Sequence, residues 1–154
     1  MTIYLGADHR GFALKEKLKQ MLTDEAYIVV DCGAAALIAD DDFPDYARLV
    51  AEAVEKTEVG GNSDGDRGIL ICGSGFGVDI AANKFPGIRA ALPMSPDHAY
   101  VARHDDNANV LALASDFINE ETAKKIVKTF LSTPFAREER YLRRLDKISK
   151  MELG

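Results

Sequence analysis

The stretch GILICGSGFGVDIAANK, residues 68–84, places a cysteine before glycines at alternate positions, Gly73, Gly75 and Gly77. Several chemistries use a loop of this general kind, and spacing removes most of them. A dinucleotide fingerprint needs G-x-G-x-x-G after the first strand, with an acid roughly 20 residues on; G-x-G-x-G after a third apolar run fits neither spacing nor place. A P-loop needs Gly-Lys-Ser/Thr, and none follows. A cysteine phosphatase loop would need an arginine where Val78 stands, and a phospho-acceptor would need an aspartate where Cys72 stands. What is left is a loop of backbone N–H groups opening a helix, a place that favours an anion or a developing oxyanion. Cys72 at its edge has two readings. It is a thiolate with those N–H groups for neighbours, or a small buried hydrophobe at a tight turn.

Other chemistry-bearing residues are few. His9 follows Asp8 at the end of the first apolar run, while His98 and His104 lie six apart on one helical stretch and do not share a face. In REERYLRRLDK, Arg140 and Arg144 sit one turn apart, as part of a solvated face or as a two-armed phosphate clamp. Cys32 ends a strand with no glycine loop behind it and reads as structural. The two cysteines have no CxxC or other metal-ligand spacing, which suggests a reduced, cytoplasmic protein.

These residues have to be positioned by an alternation of strands and helices. The apolar runs TIYLGA, YIVVDCG, GILICG, GIRAAL and NVLALA read as buried strands. GFALKEKLKQML, FPDYARLVAEAVEK, GVDIAANKF, a stretch from about Asp97 to Asp105, EETAKKIVKTFL and a basic segment from about Arg137 read as helices. The second helix presents Tyr46, Leu49, Val50 and Val54 as its apolar face. Strands separated by helices imply parallel pairing and right-handed crossovers. The expected fold is therefore α/β, a three-layer αβα sandwich on a five-stranded parallel Rossmann-like sheet of order 2-1-3-4-5, with a C-terminal helix. Residues 1–154 make one domain. Two connections are long, the acidic ALIADDDFPD and the turn-rich GGNSDGDRG. In such a sheet ligands bind beyond the carboxyl ends of the strands where strand order reverses. That puts GADHRG opposite CGSGFG.

A formal net charge of −6 argues against a nucleic-acid partner, no apolar run is long enough for a membrane span, and MTIYLGAD lacks a basic n-region.

The blocks GADHRGFALKEKLK, VVDCG, DFPDYA, GILICGSGFGVDIAANKFPGIRAAL, DNANVLALAS and TPF…RYLRRLDKI together resemble the RpiB/LacA/LacB family of sugar-phosphate isomerases, in order along nearly the whole chain. They are closest to its type B ribose-5-phosphate branch. The resemblance implies aldose–ketose isomerisation through a cis-enediolate, with ribose 5-phosphate and ribulose 5-phosphate as the leading pair. A hexose 6-phosphate or tetrose 4-phosphate, or a non-catalytic sugar-phosphate binder, are the alternatives. It implies no metal and no organic cofactor, and a homodimer with shared active sites that can pair into a tetramer. Carried over by position, Cys72 is the base that moves the proton between C1 and C2. Gly73, Gly75 and Gly77, with the Ser74 hydroxyl, hold the enediolate oxygen. Asp8 and Asn107 contact the sugar, and His9, Arg140 and Arg144 take the phosphate. A glutamate that serves as base in one branch is replaced by Val78, which places the chain in the cysteine branch.

Three positions depart from the pattern. The family's ring-opening histidine is Asp105 here, with His104 one residue early, about 100° away around a helix. Asp105, His104 or His98 is left to open the ring. Asp116 replaces an arginine thought to bind phosphate across the dimer, and Tyr141 replaces a histidine after the first clamp arginine.

Overall fold

In the computed structural model, which describes residues 1–58 and 65–152, the apolar runs become the strands of one parallel sheet. Most of the GGNSDGDRG connection therefore lies outside the described residues. The order along the chain is β1 (Thr2–Ala7), α1 (Phe12–Asp24), β2 (Ile28–Asp31), α2 (Phe43–Glu55), β3 (Arg67–Cys72), α3 (Phe76–Ala82), β4 (Ala90–Ala91), α4 (Pro96–His104), β5 (Val110–Ala114), α5 (Glu120–Ser132) and α6 (Glu139–Glu152). Helices α2 and α3 pack on one face of the sheet, and α1, α4 and α5 on the other.

The strands lie in the order β2-β1-β3-β5-β4. The expected order had β4 and β5 exchanged, and burial explains the correction. Every residue of VLALA in β5 is buried, which suits a strand with a neighbour on each edge. β4 pairs through only two residues, just before Pro93, and takes the edge. β2 corrects a second expectation. Read from sequence as a buried strand, it is the opposite edge, with Ile28 and Val30 exposed. On α2 the buried face is Ala47, Val50, Ala51 and Val54, while Leu49 points outward. Small alanines bring this helix close to the sheet, so its buried stripe is rotated from the one its largest residues suggest.

The pairing of β1 with β3 is as expected, so the turn after β1 and the glycine loop after β3 meet at the carboxyl end of the sheet. Lys15, fully buried on α1, helps to hold that end. Its ammonium donates to both carboxylate oxygens of Asp31 at 2.7 and 2.8 Å and to the Ala34 carbonyl at 2.7 Å, the pairing that a buried charge requires.

Candidate active site

Cys72 is the last residue of β3 and is 4% exposed. The chain reverses after it because Gly75 adopts a left-handed φ of 76°, and this turn aims the Gly75 N–H at the Cys72 Sγ, 3.2 Å away. The Ser74 Oγ accepts from the Phe76 N–H at 3.3 Å. The end of β5 pins the loop from the side: Ser115 N–H donates to the Cys72 carbonyl at 2.9 Å, and Asp116 N–H to the Gly73 carbonyl at 3.0 Å. The arrangement is a thiol among backbone donors at the β1/β3 switch point, where a negatively charged oxygen would be stabilised.

Asp8 is buried at the end of β1, and its Oδ1 accepts the N–H groups of Arg10 at 3.0 Å and Gly11 at 3.1 Å, fixing the turn into α1. His9 donates its backbone N–H to Asp41 Oδ1 at 2.7 Å and places Nδ1 2.9 Å from the same oxygen, while the Tyr46 hydroxyl donates to Asp41 Oδ2 at 2.9 Å. The hydrogen bond to Asp41 raises the His9 pKa, against some desolvation, and the charges of Asp8, Asp41 and Asp40 add to the rise. Burial pushes Asp41 up, but the hydrogen bonds from His9 and Tyr46 outweigh it and hold the carboxyl below its ordinary range. Asp41 was not singled out from sequence; its one signal was the acidic loop ALIADDDFPD. Asp8, His9 and Asp41 offer ligand atoms within 4.8 Å of one another, as a metal site would. Asp8 Oδ1 is engaged by backbone, and His9 Nδ1 and both Asp41 oxygens by one another, by backbone and by Tyr46, so the cluster reads as a hydrogen-bonded brace.

A second group forms around Tyr141, which is buried at the start of α6. His104 Nδ1 lies 2.6 Å from Asp105 Oδ1, and Asp105 also accepts from Tyr141. Arg140 Nη2 donates to the Tyr141 hydroxyl at 2.9 Å, and the guanidinium carbons of Arg140 and Arg144 lie 4.6 and 6.0 Å from the Tyr141 ring centre. Tyr100 stacks on His104 at 4.9 Å. The hydrogen bond from His104 is the chief reason the Asp105 pKa is lowered. Desolvation opposes it, and the Tyr141 phenol and the charges of His104 and Arg140 assist. Asp105, the cap of α4, still has helical dihedrals and its N–H bonds to the Val101 carbonyl, so the contact with His104 is made by the two side chains swinging together at the helix end. His98 is exposed on the first turn of α4.

Asn107 lies between the two groups' supporting elements. It is buried with φ 50°, its Oδ1 accepts from Arg103 Nη1 at 2.8 Å, and its carbonyl accepts from Arg89 Nε at 2.8 Å. Its side-chain oxygen ties α4 to the start of β5, which fixes the orientation of the amide.

The two groups stand at opposite ends of the sheet. Cys72 pairs with Ala114 at the carboxyl end of β5, whereas His104 and Asp105 precede Val110 at its amino end. The strand between them spans roughly 13 Å. Beside the Cys72 group lies an apolar recess of about 230 Å³ lined by Ser74, Phe76, Leu92, Met94, Ala114 and Phe117, with both phenyl rings largely exposed. A roomier groove of about 450 Å³ between α1 and α5, among Lys17, Glu25, Glu120 and Lys124, holds none of the residues singled out above. Among the described residues no helix is long and apolar enough to cross a membrane.

The profile of the Ribose/Galactose Isomerase family matches residues 3–148. The ribose-5-phosphate isomerase B of Mycobacterium tuberculosis is 37% identical over 152 residues, 99% of this chain and 90% of that protein. Among solved structures, ribose-5-phosphate isomerase B from Mycoplasma genitalium with bound ribulose-5-phosphate superposes with a TM-score of 0.92 at 45% identity, covering 99% of this chain and 97% of the other. The Clostridium thermocellum ribose-5-phosphate isomerase B gives 0.91 at 38% identity, covering 99% and 98%.

Proposed function

The chain belongs to the ribose/galactose isomerase family, and on that premise we propose that it is an isomerase interconverting ribose 5-phosphate and ribulose 5-phosphate through a cis-enediolate. The observation that carries the reading is Cys72, a thiol at the sheet's ligand-binding end with the Gly75 N–H on its sulfur. As thiolate, Cys72 takes the proton from C2 of the open-chain aldose. The C–H electrons form the C1–C2 double bond, and O1 becomes an oxyanion held by the N–H groups of the Gly73–Gly77 loop and the Ser74 hydroxyl. The hydroxyl proton passes from O2 to O1, and the thiol returns its proton to C1, which yields the ketose and regenerates the thiolate.

Asp8 meets the sugar hydroxyls, and the His9 imidazolium, favoured by Asp41, meets the phosphate. Asp105 is kept as a carboxylate, so its part is to orient His104, whose Nε2 serves ring opening. Arg140 and Arg144, both packed on Tyr141, clamp the phosphate. Cys72 and the arginines stand at opposite ends of one chain, so one site takes the Cys72 loop from one subunit and the Tyr141 group from its partner. The protein is then a homodimer, and the exposed Phe76 and Phe117 beside Ser74 suit a covered face. Residues 1–154 act as one isomerase domain, and two unpaired cysteines fit a cytoplasmic setting.

A panel of four- to six-carbon aldose phosphates tests the reading, with ketose formation followed directly. Ribose 5-phosphate is expected to turn over best. Preference for a tetrose 4-phosphate or hexose 6-phosphate would change the substrate, and thermal stabilisation by sugar phosphates without ketose formation would make the chain a binding protein.

A further inference from the structure

Arg10 follows His9 in GADHRG and took no part in the sequence-based reading of the site. In the fold it forms an ion pair with Asp116, which follows β5, 106 residues later in the chain. Both side chains are substantially exposed, and an exposed pair of this kind adds little to stability. Its placement is the notable feature. The ion pair lies against Gly73, so that a Cβ on residue 73 would come within 2.5 Å of Arg10 Cζ and 2.8 Å of Asp116 Oδ2. The bare Cα of Gly73 lets the ion pair close directly over the backbone.

The same two residues hold the backbone on either side. Asp116 N–H donates to the Gly73 carbonyl at 3.0 Å. The Ser115 hydroxyl reaches both the Arg10 carbonyl, at 2.9 Å, and the Cys72 carbonyl, at 3.1 Å. The Arg10 N–H is held by Asp8 Oδ1 at 3.0 Å. Three chain segments, from the carboxyl ends of the adjacent strands β1, β3 and β5, are thus closed over one peptide unit. A peptide is planar and trans, so its C=O and N–H point in opposite directions. Fixing the Gly73 carbonyl toward Asp116 therefore fixes the Ser74 N–H on the other side, and that N–H belongs to the loop that receives the enediolate oxygen.

We propose that Arg10 and Asp116 form a clasp that locks the Gly73–Ser74 peptide, and that Arg10 is a positioning residue acting through that peptide. The clasp rests on the isomerase reading for what the loop does, and on geometry alone for what holds the loop. Asp116 serves twice, its backbone holding the carbonyl and its carboxylate holding the cation that covers the glycine. Without that cover the Gly73 peptide keeps only the Asp116 N–H bond to hold it, and an oxyanion donor loses its effect when misaligned by a fraction of an ångström.

The test compares Arg10→Met, Arg10→Lys, Asp116→Asn and the exchanged pair Arg10→Asp with Asp116→Arg in the full-length protein. Arg10→Met is expected to lower kcat by about tenfold to a hundredfold with KM unchanged. Arg10→Lys and the exchanged pair should recover part of the loss, and the melting temperature should hardly move. Calorimetry with a phosphorylated hydroxamate that mimics the enediolate gives a readout that needs no turnover. Its affinity should fall in Arg10→Met by the same factor as kcat, while inorganic phosphate binds as before. A rise in KM at constant kcat, or weaker phosphate binding, would make Arg10 a substrate contact and overturn the clasp. A lower melting temperature with unchanged kinetics and unchanged hydroxamate affinity would reduce it to a structural pair. If wild type binds the hydroxamate but turns over no aldose phosphate, the isomerase reading fails, and the hydroxamate ratio still decides the clasp.

Discussion

The Cys72 group is built from backbone and the Tyr141 group from side chains. Around Cys72 the groups in place are mostly amides and carbonyls at the ends of β1, β3 and β5, and strands buried on both faces hold them. Around Tyr141 the groups are an imidazole, a carboxylate, a phenol and two guanidiniums carried by the end of α4 and the start of α6. Backbone donors fixed by a sheet suit a transition-state oxyanion, which gains only from groups that need no rearrangement. Long side chains at helix ends suit a phosphate, whose several oxygens tolerate some variation in angle. The three positions that depart from the resemblance divide along the same contrast. Two of the three departures, Asp105 and Tyr141, fall in the side-chain group, where one residue can be exchanged if its partner adapts. The third, Asp116, falls at the Cys72 end, where its backbone N–H keeps its place and only the side chain differs.

The sharpest way to break the comparison is to disable each group on a separate chain. Cys72→Ala removes the base and should lower kcat about a thousandfold while sparing phosphate binding. Arg140→Ala should raise KM about tenfold to a hundredfold through the loss of a charge-assisted contact. Mixed, allowed to exchange subunits and assayed at substrate well below the raised KM, where each variant alone has little activity, the two proteins should recover roughly a quarter of wild-type activity, because mixed dimers hold one intact site. No recovery, in a preparation shown to contain mixed dimers, would mean that one chain supplies both groups to its own site. Persisting activity in Cys72→Ala would remove the base assignment.

Asp105 sharpens the side-chain half. Asp105→Asn takes away the carboxylate that faces His104 and Tyr141, and turnover of ribose 5-phosphate should fall about tenfold to a hundredfold. The loss is capped because some open-chain aldose forms unaided. An aldotetrose 4-phosphate cannot close a five-membered ring, since its O4 carries the phosphate, and its slower turnover should not change. An equal loss on both sugars would place Asp105 in proton transfer at carbon rather than in ring opening.

Much of this was legible in the sequence because it is local. The glycine loop, the turn after β1 and the two clamp arginines are each contained in a few residues, and period and spacing identify them. What was not legible joins distant segments. Arg10 meets Asp116 across 106 residues, and His9 meets Asp41 across 32. The bond from Arg103 that orients the Asn107 amide is likewise invisible until the chain is folded. The exchange of β4 and β5 turned on burial, because GIRAAL and NVLALA are similarly apolar in sequence and only two residues of the first pair with a neighbour. The offset between His104 and Asp105 read as a separation, and only the side-chain contact at the end of α4 joins them.

The smallest effect tests the brace at the Cys72 end. Bonded to Asp41, His9 has a raised pKa, so its imidazolium persists to a pH above the ordinary histidine value of about 6.5. The favourable contribution of the charged pair is fully present below the unfolded value and is lost as pH rises through the folded one. A positive charge at His9 helps to hold the phosphate, so KM for ribose 5-phosphate should climb on the alkaline side as that charge disappears. In Asp41→Asn the main cause of the shift is gone, and the climb should begin at lower pH, nearer the ordinary histidine value, with kcat on the plateau unaffected. Because His9 is partly exposed, the change is a displacement of the KM profile along the pH axis and not a collapse of binding. A KM profile that keeps its position in Asp41→Asn would show that the phosphate is held without His9, leaving the arginines of the other group to do it alone.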